Sequence, residues 1–106
     1  MEGQRQAFVM KLKPGCEAEY EKRHREIWPE LKQLLSESGV YDYSIYLDRE
    51  TNRLFAFQKT RGNGGSQSLG EMEIVKRWWA YMAPLMETND DLSPVSVELR
   101  EVFHMD

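Results

Sequence analysis

The chain has 106 residues and a net charge of −4, from 14 Lys and Arg against 18 Asp and Glu. That length predicts one domain over residues 1–106 with a small core. The charges are interspersed with no Lys/Arg stripe, which excludes a nucleic-acid partner. No apolar run approaches the ~20 residues that span a bilayer, which excludes a transmembrane helix. With 41% hydrophobic residues, among them three Trp, five Tyr and four Phe, the chain is not a disordered one.

Residues 6–13, QAFVMKLK, alternate. Phe8, Met10 and Leu12 fall on one face and Val9, Lys11 and Lys13 on the other, as in a half-buried strand. Pro14 and Gly15 end it. Residues 16–38 then read as a helix. At the helical period, Tyr20, His24, Ile27, Trp28, Leu31, Leu34 and Leu35 share one arc of about 120°. One half of that arc is ordinary core, whereas the other is a tyrosine and a histidine one turn apart. Pro29 predicts a kink near Trp28, and Gly39 a stop. Periodicity alone leans towards Tyr20 and His24 being core residues with satisfied polar tips over their being pocket groups.

Residues 40–48 read as a second strand, with Tyr41, Tyr43, Ile45 and Leu47 on one face. A short turn leads to a third strand over residues 53–59, making a hairpin. Residues 60–70, TRGNGGSQSLG, read as a flexible polar loop. They lack the Gly-Lys-Ser/Thr end of a phosphate-binding loop. Residues 71–86 predict a second helix with a stripe of Met72, Val75, Trp79, Met82 and Met86. Trp78 and Trp79 diverge by about 100°, so one of them points off that stripe. After a polar turn, residues 95–104 predict a last strand with Val95, Val97, Leu99 and Phe103 inward.

The order β-α-β-β-α-β is that of a ferredoxin-like α+β fold. Right-handed crossovers put both helices on one sheet face. The other face is left apolar and open, and a sheet-on-sheet homodimer covers it economically.

If Tyr20 and His24 line a pocket, Tyr43 can reach it from the second strand and Trp78 or Trp79 from the second helix. Indole and phenol faces pack on the apolar face of a pyranose ring, and hydroxyl tips bind its OH groups. One imidazole can give and take a proton near neutral pH. That inventory suits mild acid/base work on a sugar. It does not suit glycoside hydrolysis, which uses paired carboxylates. His24 and His104 are the two imidazoles, and no CxxC or HxxxH spacing occurs, so no zinc site is expected. Cys16 reads as a small residue at a helix start. A single cysteine and an N-terminus without an apolar signal segment predict a cytoplasmic setting.

The stretches AFVMKLKPG, EYEKRHREIWPEL, YSIYLD, LFAF, RWWAYM and SPVSVELREVF stand in order over nearly the whole chain. In them the chain resembles the L-rhamnose mutarotase family. The resemblance implies a dimeric α+β barrel of ferredoxin-like protomers that interconverts the α and β anomers of L-rhamnose without a cofactor. It implies His24 as proton donor, with Tyr20, Tyr43, Trp78 and Trp79 as sugar contacts. The chain departs from the family in its Gly-rich residues 60–70, where a more helical, Trp-containing stretch is usual, and in His104, where an aromatic residue is usual. The alternative is a haem- or small-ligand-binding dimeric α+β barrel with His24 as axial ligand.

Overall fold

The computed structural model describes residues 3–62 and 64–106. Strand β1 runs Gln4–Lys11, β2 Val40–Asp48, β3 Arg53–Thr60 and β4 Ser96–Leu99. The helices are α1 Glu17–Arg25, α2 Pro29–Glu37 and α3 Glu73–Met82, with single 3-10 turns at Ser66–Ser68 and Ala83–Leu85. The sheet order is β2-β3-β1-β4, with all neighbouring pairs antiparallel. This is the ferredoxin-like arrangement expected from the element order.

The two central strands explain the core. Phe8, Met10 and Leu12 of the first segment are buried, as their alternation requires, and so are Leu54 and Ala56 from β3. Leu31 of α2 and Val75, Trp78 and Met82 of α3 close over them. Gly15 and Gly39, at φ +83° and +91°, make the two turns into α1 and β2, a conformation only glycine adopts cheaply.

Four expectations are corrected. Residues 16–38 are not one kinked helix but two. Trp28 is extended (φ −61°, ψ 128°) and Pro29 opens α2. A residue before proline avoids the helical region, and proline fits the first helical position. In β2, Tyr41 does not share a face with Tyr43. The pairing slips between Tyr41 and Ser44, and Asp42 there has φ +49°. The bulge takes up one extra residue, so Val40 rather than Tyr41 is buried with the core. In α3 the buried stripe is Val75, Trp78 and Met82. Met72 precedes the helix in an extended conformation and is exposed, and Trp79 is half-buried.

The last strand ends at Leu99 rather than at residue 104, and Val95, Val97, Leu99 and Phe103 are exposed rather than inward. Register gives the reason. Val97 pairs with Val9, and Leu99 with Ala7. Directly paired residues point to the same side of a sheet, and Phe8 already commits its neighbours Ala7 and Val9 to the outer side.

Leu54 lies at the centre of this core with 2% of its surface exposed. Replacing it with Ala leaves a cavity between sheet and helices. The expected loss is about 2–5 kcal/mol of unfolding free energy, measured by urea denaturation. A loss below ~1 kcal/mol would show that the helices collapse onto the gap.

Candidate functional site

Helix α1 carries Glu17 and Glu19 in its first turn and Lys22, Arg23, His24 and Arg25 in its last, the charge order that the helix dipole favours. Tyr20 and His24, four residues apart, meet on one side. Their rings lie 4.3 Å apart, tilted by 30°. The edge of Trp78 meets His24 at 5.5 Å and 85°. The extended backbone at Trp28 sends its indole to the same place, edge-on to Trp78 at 5.1 Å and stacked on Tyr81 at 5.4 Å. The Arg23 guanidinium lies 4.1 Å above the Tyr81 ring and is paired to Glu19 at 2.7 Å. The end of α1 is thus fastened to α3 by aromatic and cation–π contacts.

Between α1, α3 and the sheet is an open cavity of about 980 Å³, at the upper end of the range for small-molecule sites. All five residues anticipated from the sequence, Tyr20, His24, Tyr43, Trp78 and Trp79, line it. So do Ser66 and Gln67 from the Gly-rich segment. That segment is not a slack loop, because Ser66 is buried and its 3-10 turn is tied to Gln58 of β3. Composition hid this, but one signal was available: Gln58 continues the Leu54, Ala56 alternation and so puts an amide on the core face.

His24 Nδ1 lies 3.2 Å from the carbonyl oxygen of Tyr20. A carbonyl only accepts, so Nδ1 holds a hydrogen and donates it. In the neutral ring this leaves a lone pair on Nε2 for the cavity. Burial lowers the His24 pKa from its ordinary value, against a smaller opposite effect of that bond. Burial raises the pKa of Tyr20, with the nearby Tyr43 adding to it. It also raises that of Tyr43, partly offset by a hydrogen bond from Ser66. All three groups are therefore neutral at pH 7. The cavity can bind an uncharged polar molecule and move a proton at Nε2. Among the described residues no three His, Cys, Asp or Glu side chains converge as metal ligands. His104 is remote from the cavity and bonds Asp106 at 2.8 Å.

A family model for L-rhamnose mutarotase matches residues 5–105. The L-rhamnose mutarotase of Bacteroides thetaiotaomicron is 72% identical over 102 residues, 96% of this chain and 98% of the relative. That of Phocaeicola vulgatus is 64% identical with the same coverage. The crystal structure of the Formosa agariphila L-rhamnose mutarotase superimposes with a TM-score of 0.88 at 52% identity, over 97% of this chain and 99% of that one. A Pseudomonas aeruginosa protein at 13% identity and TM-score 0.59 shares the fold alone. The aromatic cavity with its single neutral imidazole thus stands in a chain that belongs to the L-rhamnose mutarotase family.

Proposed function

We propose that this chain interconverts the α and β anomers of L-rhamnose, with His24 as the proton-transfer residue. Family membership makes it a carbohydrate isomerase and decides against the haem- and ligand-binding alternative. The observation that carries the role of His24 is its Nδ1 bond to the Tyr20 carbonyl, which fixes the tautomer and leaves Nε2 as acceptor.

The chemistry follows from that tautomer. Nε2 takes the proton of the anomeric hydroxyl. The C1–O1 bond becomes a carbonyl as the bond from C1 to the ring oxygen breaks, its electron pair going to the ring oxygen. The imidazolium just formed is then the proton donor to that oxygen. Both oxygens are bonded to C1, so one nitrogen serves both. The aldehyde turns about its bond to C2, and the same steps in reverse close the ring on the other face. No net charge is left in a cavity where burial penalises charge. Tyr20 and Tyr43 offer hydroxyls to the sugar, and the indoles of Trp78 and Trp79 offer apolar surface to its ring.

The reading includes a homodimer. The outer sheet face carries Val9, Phe55, Phe57 and Tyr46 with Val97 and Leu99 of β4 beside them. Tyr46 is 64% and Val97 62% exposed. An apolar sheet face of this kind is covered when a second copy packs on it about a two-fold axis. No helix among the described residues is long and apolar enough to cross a membrane, and a lone free cysteine supports the cytoplasm as the setting.

Three measurements test this. Replacing His24 with Asn should slow anomer exchange of L-rhamnose, followed by saturation-difference NMR, by about 10²–10⁴-fold. Unchanged exchange by a folded variant removes His24 from the mechanism. For the wild type, the resting imidazole must be neutral. Its lowered pKa means that activity is flat across neutral and alkaline pH and falls only as pH drops below the ordinary imidazole range. A rate that declines as pH rises through neutrality would instead make the imidazolium the resting form. Finally, Phe57→Glu should convert a dimer to a monomer in sedimentation velocity. A wild type that is monomeric at micromolar concentration overturns the dimer.

A further inference from the structure

The polar wall of the cavity contains a hydrogen-bond chain with a fixed direction. Gln58 is 2% exposed, and a buried primary amide must place both a carbonyl and an NH2 group. Its Oε1 accepts from the backbone N–H of Ser66 at 2.8 Å. Its Nε2 donates to Ser66 Oγ at 2.9 Å. A second amide, Gln67 Nε2, donates to the same Oγ at 3.4 Å. The serine oxygen has two lone pairs, and two N–H groups fill them. Its own hydrogen must therefore leave, and it goes to Tyr43 Oη at 3.4 Å. The tyrosine oxygen is an acceptor on that side. Among the described residues none accepts the Tyr43 hydrogen in turn, and Tyr43 lines the cavity.

The backbone is shaped for this contact. A Cβ on Gly65 would collide with the Oε1 atoms of Gln58 and of Gln6. One on Gly70 would press on the Trp79 ring. Glycine at these positions lets the segment approach β3 at one end and α3 at the other.

We infer that Gln58 and Ser66 are positioning residues that turn Tyr43 into an outward hydrogen-bond donor, selecting a ligand with a neutral acceptor oxygen at that point. In the sugar-binding reading above, on which this rests, the acceptor is a hydroxyl or ring oxygen of the monosaccharide. A ligand that presents only hydrogens there leaves the Tyr43 hydrogen without an acceptor and forfeits that bond. Gln58 touches no substrate, and its effect reaches the sugar through Ser66 and Tyr43.

A double-mutant cycle tests the chain. Ser66→Ala keeps the Ser66 N–H bond to Gln58 and so keeps the turn, while removing the hydrogen that orients Tyr43. With L-rhamnose exchange as the assay, Ser66→Ala and Tyr43→Phe should each raise KM about 3–10-fold, the ratio of one net neutral hydrogen bond. For Ser66→Ala the effect falls on KM more than on kcat. The double variant should be no worse than Tyr43→Phe alone, because Ser66 acts only through that hydroxyl. A Ser66→Ala effect that is absent, or of equal size in both Tyr43 backgrounds, overturns the inference. A merely structural Ser66 would lower the melting temperature and leave the cycle additive. If the wild type binds L-rhamnose by tryptophan fluorescence without speeding exchange, the isomerase reading fails, and the same cycle read in Kd still decides the relay. If the wild type does neither, both fail.

Discussion

A helix continued from Glu17 through residue 29 would drive the Pro29 ring into the carbonyl of Arg25. The rest of the site depends on how the chain avoids that clash. It stops α1 at Arg25, extends Trp28 and restarts with Pro29 at the head of α2. The break leaves few backbone groups stranded. Ile27 N–H reaches the His24 carbonyl at 3.2 Å, and Lys32 N–H reaches that of Trp28 at 3.0 Å. Two things follow. His24 falls in the last turn of a short helix, beside the cavity and not deep in a packed seam. Trp28 is released from the helical direction, and its ring meets Trp78 and Tyr81. A kink alone would have kept Trp28 on the helix. The proline thus separates a helix that presents an imidazole to the cavity from one that gives it apolar lining through Leu31 and Leu35.

Burial and charge compete within the cavity, and burial prevails. The last turn of α1 holds four basic groups including His24, and its carbonyls favour a cation. Even so, desolvation is the largest effect on His24 and lowers its pKa. Of the two arginines that flank His24 in sequence, Arg23 is engaged by Glu19 and the Tyr81 ring, and Arg25 is paired with Glu21 at 3.6 Å. The two tyrosines are likewise held in their protonated forms. Glu17, Glu21 and Arg49 stand on the cavity lining, but the three groups held neutral, Tyr20, His24 and Tyr43, match an uncharged sugar, which would repay none of the cost of a buried ion. This neutrality also makes a single imidazole adequate for the proton transfer proposed above. Moving a proton between two oxygens on one carbon creates no lasting charge, so no buried counter-ion has to be built.

The sequence was most legible where one face of a strand or helix is simply covered. The alternation of β1 and the pairing of Tyr20 with His24 on one side of α1 both followed from period alone. Failures came where a single residue changes phase. Asp42, at φ +49°, shifts β2 by one position and exchanges Val40 for Tyr41 in the core, and an aspartate in a strand gives little warning of it. The alternation in β4 was read correctly but assigned to the wrong side. The side is set by which residues it pairs with in β1, and that is tertiary information. Trp78 and Trp79 differ by one position, and the stripe drawn through Met72 chose the wrong one, because Met72 is extended and exposed ahead of the helix. The Gly-rich segment was read by composition as slack. Its glycines instead permit close approach, and the polar partner that anchors it stands eight residues earlier on a strand.

Strand β3 joins these features. Its inward residues Leu54, Ala56 and Gln58 make core and then the anchor behind Ser66 on the cavity wall, while Phe55 and Phe57 between them make the outer face. Side chains on a strand alternate by geometry, so the wall that positions Ser66 and the face proposed to bind a second copy are built from adjacent residues. Neither can slip relative to the other, because a shift of one residue would put Phe57 in the cavity and Gln58 outside. A second copy packed on the outer face would therefore stiffen the strand from which the site's polar wall hangs. Precision in the position of Tyr43, which needs a rigid support to direct one hydrogen, would then be gained without adding any group to the cavity itself.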